Sequence, residues 1–562
     1  MISLKLPTRH DRGHGGWWLL SALAAVLVLA PAAAIAVIAA EGSGDLWPHL
    51  ARHVLPRALR DTLLLLGGVG ALTIVIGVGC AWLVTAYDFP GRRVLAWALL
   101  LPLAMPTYIV AFAYLDLLHP IGPIQSAIRA LLGFERPRDL AFPDIRSLGG
   151  CILLLGLVLF PYVYLPTRAM FSMQAAGLVE ASRLLGAGPA RLFFRIALPL
   201  AWPAIAAGAT LALLEALNDI GASEFLGVRT LTRTIYDTWI NRSSLSGAAQ
   251  IALLMVAIVL ALILLERWAR RHRHYAASSR QARRLMPERL GRATGWLAFA
   301  LAAVPVLLGF VLPAGYLLAA ALRRVGQVGM PPSILMQAGN TVLVAAIATT
   351  VATLIAVGVI YAVRLARGPA MAALARCASI GYAIPGTVLA IGLLTPLAEF
   401  DNAVDQAVRR YLGLSTGLLL SGSGAALVYA YVARFLAVAT GGIEAGFRRI
   451  PRSLDDAART LGVAPLPAIW RVHLPLIKPA IGAAVLLVFV DCMKELPATL
   501  LLRPLNFETL ATQLYAEAAR GTYENGAIAA LLIVIVGLPP VMLLARLGLR
   551  PAGDRPAASD RG

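Results

Sequence analysis

Four carboxylates lie inside apolar runs of a chain that has few charges. Glu215 and Asp219 stand four residues apart, and Asp491 and Glu495 repeat that spacing 276 positions downstream, with Lys494 beside the second pair. A spacing of four puts two side chains on one helical face, and a carboxylate withdrawn from water costs several kcal/mol, so each face should line a protein interior or an aqueous path. Lys494 is placed to neutralise one acid of its pair. The competing reading is structural: ion pairs and helix ends near the outer membrane interface. Enzyme chemistry is not suggested, because HExxH does not occur and the acids have no His or Ser partner at a suggestive spacing. The lysines are Lys5, Lys478 and Lys494, none in the Gly-Lys-Ser/Thr setting with which a P-loop holds phosphates. Any ATP hydrolysis therefore needs a separate subunit.

Two further acids open a repeated stretch. Residues 180–205 (EASRLLGAGPARLFFRIALPLAWPAI) and 456–481 (DAARTLGVAPLPAIWRVHLPLIKPAI) are identical at 12 of 26 positions without a gap, where chance in this composition gives roughly two or three. Each copy begins with an acid and two small residues, Glu180-Ala181-Ser182 or Asp456-Ala457-Ala458. Each has Gly six positions on, Gly186 or Gly462, and closes with Leu198-Pro199 or Leu474-Pro475. The pattern predicts a short helix, a glycine hinge and a second helix restarted at Pro189 or Pro465. The acid suits the positive end of the first helix, and the small residues leave a face that another protein can approach closely. His473, inside the second copy, reads as a contact residue rather than a ligand.

This pattern resembles the EAA loop of type I ABC importer permeases, with Ser182 and Asp456 as mild departures. The resemblance implies that each loop is a cytoplasmic coupling helix seated in a groove of an ATPase subunit. Glu180, Ala181 and Gly186 in the first copy, and Asp456, Ala457 and Gly462 in the second, are then the docking residues. It implies two copies of an ABC ATPase that carry the ATP and Mg, a periplasmic solute-binding protein, and no cofactor on this chain. Residues 494–504 (KELPATLLLRP) and 506–512 (NFETLAT) look like the C-terminal half of fused permeases from ferric-iron importers, as does the plan of two halves in one chain. Ferric iron is a hard cation that favours carboxylate and phenolate oxygens. Glu215, Asp219, Asp491 and Glu495, with Lys494, would offer it a weakly attractive path; no tight metal site is visible. Thiamine, a phosphonate or a polyamine is the alternative cargo. The alternative of another class is an ion-coupled secondary transporter using the acids as relay, against which the two loops stand.

Composition sets the elements that must position these residues. With 59% hydrophobic and 14% charged residues and a mean hydropathy of +0.77, the chain is an all-α polytopic membrane protein. Spans are expected near 17–40, 60–86, 94–116, 149–172, 200–226 and 247–266, then near 294–321, 338–363, 372–397, 416–440, 477–502 and 525–547. That makes about twelve transmembrane helices in two pseudo-symmetric six-helix halves. The third and ninth correspond through Ala104-Met105-Pro106-Thr107 and Ala383-Ile384-Pro385-Gly386. At ~1.5 Å per residue, Asp219 lies ~28 Å along its helix from Leu200, near the outer end of the bilayer core.

The halves are 1–266, with its loop near 174–199, and 294–550, with its loop near 444–475; a basic linker at 267–293 joins them and a tail follows at 551–562. Nine arginines between Arg267 and Arg292, and a net charge of +20, fit the positive-inside rule and anionic lipid headgroups. Nucleic acid is not implied, since no folded basic domain accompanies the run. Six spans per half then keep both termini, the linker and both loops on the cytoplasmic side of a bacterial inner membrane. The run 17–40 is long for a signal peptide and reads as the first span. Cys80, Cys151, Cys377 and Cys492 read as small buried hydrophobes. The outward stretch 116–146 balances its charges and either receives a binding protein or simply caps the bundle.

Overall fold

The computed structural model describes residues 15–173, 188–271, 287–366 and 368–549. Among them, eleven helices are long and apolar enough to cross a membrane, and Arg92–Ala104 with Thr107–Leu117, bent by 91°, makes a twelfth if the pair is one span. Helices suit this setting because each satisfies its backbone donors and acceptors within itself, where lipid offers none. The strand pairing among the described residues is one parallel contact of Tyr87–Asp88 with Glu288–Arg289. Within the stretch 116–146 lies a helix, Pro123–Leu132.

Prolines shape the spans more than hydropathy indicated. The third span was expected to run unbroken over 94–116, but Met105 (φ −111°, ψ 114°) and Pro106 (φ −56°, ψ 144°) are extended and break it. The ninth, expected at 372–397, breaks in the same way at Ile384 (φ −81°, ψ 120°) and Pro385 (φ −58°, ψ 144°), between Pro369–Ala378 and Gly386–Leu412. Proline lacks an N–H and disfavours the α region for the residue before it. A second device recurs four times: the π turns Leu50–Val54, Phe193–Ala197, Leu307–Val311 and Ile469–His473 each run directly into a Leu-Pro pair. In each, the leucine N–H reaches the carbonyl five residues back. The widened turn accommodates the proline ring where an α turn would press it against a carbonyl.

The helices gather into two compact units, one comprising 1–59, 230–259 and 329–517, the other 60–229, 260–328 and 518–562. In the first, Gly15–Ala40 packs on Ser333–Ala366, Pro369–Ala378 and Gly386–Leu412. In the second, Leu312–Val328 packs on Tyr523–Leu549, and Leu148–Met173 on Leu198–Asn218. Each unit draws helices from both sides of the arginine-rich linker, so the packing follows a different partition from the sequence repeat.

Candidate functional site

Glu180, Ala181 and Gly186 of the first repeated loop lie outside the described residues. The second loop has a described backbone throughout. Ser453–Thr460 is helical with Asp455 and Asp456 in its first turn, where a negative charge meets the positive helix end. Gly462 at φ 73° turns the chain out of the helix, and Leu461 and Val463 donate back to the carbonyls of Ala457 and Ala458 at 3.1 and 2.9 Å. Pro465–Ala468 restarts the helix. Asp456 and Ala457 are exposed. So are three large apolar side chains, Leu461 (80%), Leu466 (59%) and Trp470 (65%). Leu466 and Trp470 lie at the start of the apolar helical run Leu466–Met493, and Leu461 lies just before it.

Asp455 ties this loop to its unit. Its Oδ2 accepts from Arg364 Nε at 2.8 Å, and its Oδ1 lies 2.7 Å from His473 Nε2. Arg364 also donates to the carbonyls of Phe447 (3.0 Å) and Ile450 (3.2 Å), where the preceding span ends. The His473 ring is buried against Tyr361 and Phe447, with centroids 5.3 and 5.8 Å away, and its Nδ1 lies 3.1 Å from the Ala468 carbonyl. Burial pushes the Asp455 carboxyl up, but hydrogen bonds from Arg364 and His473 and their charges outweigh it and hold it below the ordinary carboxylate value.

The membrane acids do not share helical faces. The helix bearing Glu215 ends at Asn218 and the one bearing Asp491 ends at Met493, so Asp219 and Glu495 fall beyond the helix ends. The helix is continuous from Leu198 to Asn218, so Asp219 lies one residue past the end of the run measured from Leu200. Each of these two acids instead caps the short helix that follows, Gly221–Phe225 or Pro497–Leu502. Asp219, buried, accepts the N–H groups of Ala222 (2.8 Å) and Ser223 (3.2 Å) and the Thr107 hydroxyl. Glu495, also buried, accepts the N–H groups of Ala498 (3.0 Å) and Thr499 (3.1 Å), the Thr499 hydroxyl (2.8 Å) and Arg434 Nη1 (2.8 Å). A fresh helix start offers N–H donors without intrahelical partners, and a buried carboxylate needs them. Asp491 stays on its helix and pairs with Lys494 at 2.8 Å, and Glu215 lies half-buried within the helix Leu198–Asn218.

Thr107, Arg434, Arg364 and Asp455 are the partners that sequence reasoning missed. Arg434 carried a signal, a lone charge within the apolar run 425–439. Thr107 and Gly386 follow the two matched proline breaks. At Gly386 an added Cβ would stand 2.5 Å from Arg434 Nη1 and 2.7 Å from Glu495 Oε1. The glycine thus leaves the space that the ion pair fills, while Thr107 reaches Asp219 directly. Among the described residues no three His, Cys, Asp or Glu side chains gather as a metal site. Cys80, Cys151 and Cys492 are buried free thiols and Cys377 is half-buried.

A family profile described as binding-protein-dependent transport system inner membrane component matches residues 73–274 and again 354–548. The chain is 23% identical over 507 residues to the Fe(3+)-transport system permease protein FbpB 2 of Haemophilus influenzae, covering 89% of this chain and 92% of that one. It is 29% identical over 263 residues to PhnU of Salmonella choleraesuis, named for 2-aminoethylphosphonate transport, covering 45% and 91%. It is 30% identical over 205 residues to the molybdenum transport system permease protein ModB of Escherichia coli, covering 35% and 86%. These two relatives place most of their own length on less than half of this chain.

Proposed function

Since the chain belongs to the family of inner membrane components of binding-protein-dependent transport systems, matched once in each sequence half, we propose that it passes ferric iron across the bacterial inner membrane for an ATP-driven importer. The observation that carries the cargo is the likeness to the Fe(3+) permease, which runs along 89% of this chain and so spans both halves. The phosphonate and molybdenum relatives align with 45% and 35% of it.

In this reading the halves 1–266 and 294–550 each present one EAA-type loop to an ABC ATPase subunit, two subunits in all, and ATP and Mg are bound there. The short helix, the hinge at Gly462 and the exposed Leu461, Leu466 and Trp470 suit insertion into an apolar groove. A periplasmic binding protein delivers the solute from the other face. Closure of the ATPase pair moves the loops, and the transmembrane helices alternate their access. Glu215 and Asp491, with Lys494, remain on or beside their helices and are the candidates for contact with the solute. Asp219 and Glu495 spend their oxygens on the helix breaks. The arginine run 267–292 supports cytoplasmic placement of the linker and both termini.

Uptake of radiolabelled ferric iron tests the proposal in cells whose other iron systems are deleted, with the gene present, absent, or carrying Gly186→Val and Gly462→Val together. Uptake is expected with the unaltered gene alone. Equal uptake in all three arms removes iron as the cargo. The PhnU likeness favours a phosphonate as second reading, and uptake of labelled 2-aminoethylphosphonate that requires the gene would establish it.

A further inference from the structure

The joint at the base of the docking loop is built twice, with opposite chemistry. In the unit containing 60–229, Trp82 packs on Phe171 and Phe193 with centroids 5.3 and 5.2 Å apart. In the unit containing 329–517, Tyr361 packs on Phe447 and His473 at 6.2 and 5.3 Å. Counted from the matched breaks at Pro106 and Pro385, Tyr361 corresponds to Trp82 and Arg364 to Thr85. Counted through the repeated loops, Phe447 corresponds to Phe171, Asp455 to Val179 and His473 to Ala197. Thr85 spends its hydroxyl on its own helix, at the Ala81 carbonyl 2.7 Å away. At the sequence positions where the second half has Arg364, Asp455 and His473, the first half has Thr, Val and Ala.

The difference is mechanical. Apolar contact is non-directional, so packed rings can slide past one another at little cost. Charge-assisted hydrogen bonds fix both distance and angle. Asp455 binds the docking helix through Arg364 to Ser333–Ala366 and to the end of Ala425–Phe447, and through His473 to the helix returning from the loop. Removing one partner strands the others in a poorly solvated site, so the three act as a unit.

We propose that Arg364, Asp455 and His473 are positioning residues that lock the second docking loop to three helices, so that the two loops are unequal in coupling ATP hydrolysis to transport. This rests on the docking reading given above. The test uses the chain assembled with its ATPase in vesicles with the binding protein, and reads ATP hydrolysed per solute moved. Asp455→Asn and His473→Ala are each expected to raise that ratio roughly three- to thirtyfold while the ATPase still co-purifies. The double variant should be no worse than the worse single. Exchange of the charges, Arg364→Asp with Asp455→Arg, should recover part of the ratio. Should Asp455→Asn fail to insert, His473→Gln, which keeps a donor toward Asp455, is read against His473→Ala and should uncouple less. An unchanged ratio in the inserted variants, or losses that multiply in the double, overturns the latch. Failure of the unaltered chain to bind any ATPase overturns the docking reading itself, a result separate from either.

Discussion

A carboxylate buried at a helix break needs several donors, and the two units supply the last one differently. Asp219 draws a neutral hydroxyl from Thr107, and Glu495 draws a cation from Arg434. The variants should therefore differ in cost. Arg434→Met leaves a buried carboxylate without its cation and is expected to destabilise by about 3–5 kcal/mol. Thr107→Val removes one neutral bond and should cost about 1–3 kcal/mol. Denaturant unfolding in detergent checks the order; equal losses would mean that the Arg434–Glu495 pair is not held dry. Asp455 gives a pH dependence with a definite sign. Its folded carboxyl titrates below the unfolded value, so its stabilisation is complete above ~pH 4 and is lost as pH falls through the folded value. The gap in melting temperature between the unaltered chain and Asp455→Asn should accordingly shrink on acidification below ~pH 4.

Among the helices, the decisive residues are those that stop or widen a helix. Pro106 and Pro385 turn two spans into broken ones, and four Leu-Pro pairs follow π turns. The breaks bring Thr107 and Gly386 against the capping acids, so the acids and the prolines belong to one arrangement. Gly462 does comparable work in the loop. Its φ of 73° costs a β-branched side chain about 1–2 kcal/mol or more, so Gly462→Val should distort the hinge. The expected outcome is weaker retention of the ATPase during purification with normal membrane insertion. Full retention would show that the hinge does not shape the docking surface.

For the whole molecule, orientation is the simplest expectation to check. Leu461 is exposed, and three of the four native thiols are buried, so background labelling should be low. Leu461→Cys is expected to react with a membrane-impermeant maleimide in inside-out vesicles and not in intact spheroplasts. The reverse pattern would invert the topology drawn from the arginine run.

The sequence by itself determined that this is an all-α membrane protein with a duplicated plan and a duplicated loop. Those features are written locally: lipid demands long apolar runs, and a loop's hinge, acid and prolines sit within a few residues of one another. It also marked the four membrane acids, but not their use. Whether an acid caps a helix or faces a path depends on donors distant in the chain, Arg434 at 61 residues from Glu495, Thr107 at 112 from Asp219 and Arg364 at 91 from Asp455. No local periodicity carries that information. Only tertiary packing, which must satisfy each buried charge with whatever donor the neighbouring helix presents, decided it.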